Sequence, residues 1–147
     1  MIDNIHFDDD RKILSIENNT LPYHTIDCYE AVEKYEIISK YSPIKMIYQY
    51  IFSPVLPIHE ILDDSYSKSN SIVCTQLHIN IWIKDKDDPI HINLLPNNEL
   101  CSTKKRTFIT NHDSFLNLKN SLDKTYKMLY GSEFQDILSE RLNNRRQ

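Results

Sequence analysis

Glycine is almost missing from this chain: Gly131 is the single one among 147 residues. Phosphate cradles, dinucleotide folds and nucleophile elbows all need several glycines where the backbone approaches a ligand or turns sharply, so Walker, Rossmann and hydrolase readings fall away. Cysteine is sparse too. Cys28, Cys74 and Cys101 are an odd number at wide spacings, and no signal-like succession of basic, apolar and small residues opens the chain at Met1-Ile2-Asp3. Both observations favour a reduced, cytoplasmic setting. Neither sign of charge dominates. A net charge of -4 and a pI near 5.8 disfavour direct nucleic-acid binding, which wants a strongly positive surface, yet are too mild for a mimic of DNA. Long apolar runs are absent as well: residues 44–58 are broken by Pro54 and Pro57 and fall short of the roughly 20 apolar residues a membrane-spanning helix needs.

What is present is enough for one domain, with 40% hydrophobic and 10% aromatic residues to build one core. The strongest local pattern runs from Ser71 to Leu95. Leu77, Ile79, Ile81 and Ile83 alternate with Gln76, His78, Asn80, Trp82 and Lys84, the signature of a half-buried antiparallel strand. After the acidic turn Asp85-Lys86-Asp87-Asp88-Pro89 the period resumes with Ile90, Ile92 and Leu94. Aligning the apolar faces places Ile83 opposite Ile90 and Trp82 opposite His91. Ile5 to Phe7 and Lys12 to Ile16 read as a first hairpin around Asp8-Asp9-Asp10-Arg11. Leu21 to Tyr41 reads as a short helix running into a strand near Glu33 to Ser39.

Ser42-Pro43 is a helix-opening pair, so residues 43–53 are expected as an apolar helical insert, with a polar loop over 63–70. Residues 5–110 are thus mainly β. From Asn111 the period changes to 3.6, with Phe115, Leu118, Leu122, Tyr126 and Leu129 on one stripe behind the capping candidates Asn111 and Asp113. Gly131 suits the left-handed residue after that helix, and Ser132 with Gln135 opens a second short helix ending near residue 143. The single domain is α+β.

Candidate chemistry is thin. His24 and Cys28, four apart, would share one face of a helix and supply half of a zinc site, with Cys74 or Cys101 arriving from elsewhere; structural zinc sites more often show tight cysteine pairs, so ordinary buried or partly buried residues are the simpler reading. His78 and His91 share the non-core face of the hairpin with Gln76, Asn80, Trp82 and Asn93, an aromatic among polar groups as in many interaction surfaces. The alternative is that Trp82 is covered by the 44–52 segment. Asp85, Asp87 and Asp88 lack the spacing of a calcium loop, and Asn111-His112-Asp113 is explained by capping. Lys104-Lys105-Arg106 is the one dense basic run, a solvated loop or a contact for phosphate, lipid or an acidic protein patch.

Phe7-Asp8-Asp9-Asp10 before a strand, Tyr35-Glu36 within one, Cys74 to Ile81, Asp88-Pro89, His91-Ile92-Asn93-Leu94 and the terminal helix together resemble a pleckstrin-homology-like domain of low-GC Gram-positive bacteria and their phages. The abundance of Ile, Asn, Lys and Tyr fits such AT-rich genomes. The resemblance covers most of Ile5 to Leu129 and implies a small curved antiparallel sheet or partial barrel closed by the helix. It places Lys104 to Arg106 where some such domains contact phosphoinositides. Two departures stand out: the paired cysteines of the family's frequent zinc ribbon are absent, and its glycine-rich segment is replaced by residues 44–58.

No cofactor and no catalytic residue is expected. The expected function is a non-enzymatic, macromolecule-binding protein, at its sharpest an inhibitor of a host defence nuclease of the anti-CRISPR type. It would use Trp82, His78, His91, Tyr48, Tyr50, Phe52, Lys104, Lys105 and Arg106 to block a nuclease effector complex sterically. The rivals are a membrane-surface, lipid-binding module and a small zinc-binding structural protein. Residues 44–58 would serve a homodimer interface as readily as a foreign partner.

Overall fold

The alternating runs become strands and the 3.6-period run becomes a helix in the computed structural model, which describes residues 4–39, 45–51 and 70–146, with side chains described except at 37–39, 45–51 and 70–71. Strands β1 (Ile5–Asp8), β2 (Ile13–Ile16) and β3 (Asn19–Pro22) form a three-stranded sheet in that order. Strands β4 (Ile26–Ser39), β5 (Lys45–Ile51), β6 (Asn70–Ile83) and β7 (Ile90–Asn93) form a second sheet in the order β5-β4-β6-β7, with β8 (Cys101–Ser102) also pairing β6. Helices α1 (Arg106–Tyr130) and α2 (Phe134–Arg146) complete an α+β architecture. The chain divides into two compact units.

The first unit takes Met1–Glu30, Asn80–His91 and Leu116–Gln147. Its small sheet is antiparallel, with Phe7 across from Leu14 and Leu14 across from Leu21. The aspartate triplet builds the β1–β2 turn: Asp8 Oδ1 accepts from the backbone N–H groups of Asp10 and Arg11 at 3.2 and 3.1 Å. Asp9 accepts from the Tyr23 hydroxyl at 2.8 Å and from Lys124 Nζ at 2.9 Å, and these hydrogen bonds, Lys124 first, lower its pKa. Leu14, Ile26, Tyr29, Leu122 and Tyr126 are buried here, with the Tyr29 and Tyr126 rings edge to face at 5.4 Å.

The second unit takes Ala31–Ile79 and Ile92–Phe115. Tyr35, Leu77, Ile79, Phe108 and Phe115 are almost wholly buried in it, and the Tyr35 and Phe108 rings meet at 6.2 Å and 84°. Among the described residues no buried side-chain nitrogen or oxygen lacks a hydrogen-bond partner, as a folded interior requires.

Several local readings are corrected. Residues 45–51, expected as a helical insert, are the strand β5, antiparallel to β4 with Tyr35 across from Tyr48 and Val32 across from Ile51. Ile and Tyr suit a pleated surface, and pairing satisfies the β4 backbone, so tertiary context overrides the local Ser42-Pro43 signal. Ser42, Pro43, Phe52 and the loop over 63–69 lie outside the described residues.

The short helix before Glu33 is only the 3-10 turn Tyr23–Thr25, and β4 already begins at Ile26. Strand β3 was not anticipated, although Glu17-Asn18-Asn19 is a turn cluster ahead of Thr20-Leu21. Helix α1 starts at Arg106 rather than near Asn111. Asn111 does not cap it, because its Nδ2 donates to the Leu94 carbonyl at 2.9 Å. Gly131 does adopt the expected left-handed conformation, with φ +77°.

Candidate functional site

The polar side of the β6–β7 hairpin was the first candidate surface, and much of it is engaged internally. Asn80, half-buried, donates to Glu30 Oε1 at 3.1 Å, and its Oδ1 lies 2.7 Å from His91 Nδ1. Arg146 Nη2 reaches the other oxygen of Glu30 at 2.6 Å. Asn80 is therefore a side-chain neighbour of His91, the residue that the alignment of apolar faces set opposite Trp82. The Leu94 N–H to Leu77 carbonyl bond, 2.8 Å, fits the same displacement of register by two residues. Side-chain alternation alone cannot detect a slip of two, because it leaves every residue on its own face. Trp82 and His78 are half-buried and His91 is exposed.

His24 and Cys28 do not share a helix face. His24 is exposed in the 3-10 turn, whereas Cys28 is buried in β4. The Thr25 hydroxyl donates to the Pro22 carbonyl at 2.6 Å and closes the turn, and the chain then extends, which abolishes helical spacing. Burial pushes the Cys28 thiol up to about 12, as it does the Cys74 thiol; thiols held protonated are poor ligands and nucleophiles. No group of three metal-ligating side chains occurs among the described residues.

One constellation of titratable groups was missed by sequence reading. Glu33, 3% exposed on β4, accepts from the Tyr35 hydroxyl at 2.9 Å and sits 2.7 Å from Nε2 of His112, 9% exposed on α1. The imidazole has Phe108 and Phe115 as ring neighbours at 5.5 and 5.9 Å, one helical turn to either side. The Tyr35 phenol is raised by burial first and then by the Glu33 carboxylate. An acid, an imidazole and a phenol are the parts of proton-transfer chemistry, but their burial turns the arrangement toward holding the interior together. The sequence did carry a signal: His112 lies on the helical stripe of Phe108 and Phe115, and Glu33 sits between Val32 and Tyr35.

The basic run is placed differently again. Lys104, Lys105 and Arg106 are exposed, and Arg106 opens α1. The Lys105 N–H donates to the Ser102 carbonyl and the Ile109 N–H to the Lys105 carbonyl, each at 3.1 Å, so Lys105 and Ile109 stand one turn apart on the helix surface. Leu100 and Ile109, 64% and 50% exposed, flank the run, and with Met128 they are the exposed large apolar side chains among the described residues. No acidic residue occupies the first turn of α1. Three cations thus gather at the helix end where the macrodipole favours anions. Tyr48 and Tyr50 belong to β5, whose side chains are not described, and Phe52 lies outside the described residues.

No protein-family model matches this chain, and neither the curated proteins nor the solved structures contain a match. Among the described residues no helix is long and apolar enough to cross a membrane.

Proposed function

We propose that the chain is a non-enzymatic macromolecule-binding protein on a pleckstrin-homology-like scaffold, and that residues 100–109 form its contact surface. The observation that carries this reading is the grouping of exposed Leu100 and Ile109 around exposed Lys104, Lys105 and Arg106, at a position where the cations oppose the dipole of α1.

In its specific form the protein is an inhibitor of a host defence nuclease, of the anti-CRISPR type, acting by steric block. A basic and apolar face suits the carboxylate-rich surroundings of a metal-dependent nuclease centre better than a basic nucleic-acid channel. The test is cleavage by candidate nucleases with and without the protein at saturation. Inhibition that disappears in Lys104→Glu/Lys105→Glu/Arg106→Glu supports the assignment; failure of the native protein to slow any candidate removes it.

The same apolar flanks favour a second reading, a membrane-surface module, since cations contribute only about 1 kcal/mol each near an anionic leaflet and need apolar help. Cosedimentation with phosphatidylserine vesicles that weakens with salt would select it.

A further inference from the structure

Helix α2 is held by ion pairs as well as by a short apolar face. Of its 13 residues only Leu138 and Leu142 are buried, whereas three arginines reach across to β4 and to the turn after β6. Arg145 donates from Nε to Asp27 Oδ2 at 2.9 Å, and from its two terminal nitrogens to the carbonyls of Lys86 and Ile83 at 2.7 and 3.1 Å. Arg141 donates to the Asp27 carbonyl at 3.2 Å and to the hydroxyls of Tyr126 and Tyr130 at 3.1 and 2.8 Å, with its guanidinium 4.7 Å from the centre of the Tyr130 ring. The Asp27 carboxylate also faces Arg141, at 4.0 Å, so one side chain answers two arginines. Arg146 pairs with Glu30 at 2.6 Å. Next to this layer lies Cys28, wholly buried, whose thiol is directed at Asp27 Oδ2 at 3.9 Å, the same oxygen that receives Arg145 Nε.

We propose that α2 is a releasable strap: an arginine-latched helix that opens as a unit, uncovering Asp27, Glu30, Tyr126, Tyr130 and the Cys28 thiol while the rest of the fold stays closed. A segment attached by partly exposed ion pairs over little apolar area belongs to the low-stability end of a structure, where opening is local. Its attachment is also screened by salt, which buried apolar contacts are not. Opening exchanges a face covered by arginines for an acidic, tyrosine-bearing one, and so changes which partners that face accepts.

The three cysteines provide the test. All are buried, and Cys74 and Cys101 belong to the other unit. The intact protein is labelled briefly with an uncharged maleimide at low and high NaCl, and the modified cysteines are located by mass spectrometry. Cys28 should label several-fold faster at high salt, and about tenfold faster in Asp27→Asn or Arg145→Gln, with Cys74 and Cys101 unchanged. Arg11→Gln, which removes an exposed ion pair with Asp8, should leave all three rates alone. Hydrogen exchange provides an independent readout, in which the amides of Phe134–Arg146 lose protection while those of Arg106–Tyr130 keep it. Equal labelling of the three cysteines under every condition, or protection of α2 equal to that of α1, overturns the proposal.

Discussion

The pairing of Glu33 with His112 shows how a few buried polar residues define an interior. A carboxylate there is tolerated because an imidazole lies at 2.7 Å and a tyrosine hydroxyl at 2.9 Å. Removing one partner strands the other in a place that water does not reach. His112→Leu should therefore cost about 3 kcal/mol, whereas Glu33→Leu/His112→Leu, which removes both, should recover much of that loss. Urea unfolding of the two single variants and the double variant measures the coupling; a coupling near zero would show that the pair contributes nothing beyond packing. In the sequence Asn111-His112-Asp113 reads as a capping segment, with Asn111 and Asp113 as the candidate caps, so His112 has no separate role there. The decisive fact was the position of the helix start, and that depended on contacts beyond the local segment.

Helix α1 illustrates a conflict between an element's own preferences and its surface. Its buried stripe of Phe115, Leu118, Leu122 and Tyr126 follows the 3.6-residue period read from the sequence. Its first turn does the opposite of what helix electrostatics favours, with Lys105 and Arg106 beside the positive end of the dipole. Arg106→Glu should stabilise the protein by about 0.3–1 kcal/mol at low salt, and should weaken whatever binding residues 100–109 provide. Thermal unfolding at low and high salt checks the first part. A destabilising effect would mean that Arg106 supports the fold and that the cations need another explanation. Strand β5 makes the complementary point: residues that alone read as a helix opening pair with β4 because an edge strand's unpaired backbone groups are a stronger demand than a local cap.

Burial of ionisable phenols and thiols throughout the molecule fixes how it should respond to alkali. Cys28 and Cys74 are pushed up to about 12 from 9.0, and Tyr23, Tyr29, Tyr35 and Tyr126 are raised from 10.0, in each case chiefly by burial. Groups whose folded pKa is raised stabilise the fold fully below their unfolded value and lose that contribution as pH rises toward the folded one. In the unfolded chain these groups give up protons that the folded chain retains, so stability should hold near neutrality and fall once pH passes about 9. The fall should steepen past about 10, each group adding about 1.4 kcal/mol per pH unit at most. A urea midpoint that stays constant to pH 11 would contradict this.

The two antiparallel hairpins, the acidic turns, the long amphipathic helix and the glycine stop after it were all legible in the amino-acid order, because each rests on periodicity or on turn chemistry within a few residues. The strand identity of residues 45–51, the partner of His91, the Glu33–His112 pair and the three-arginine attachment of α2 were settled only by tertiary structure. Each joins groups far apart in the chain, as Asp27 and Arg145 are, and no local pattern encodes which distant partner will satisfy a buried polar group.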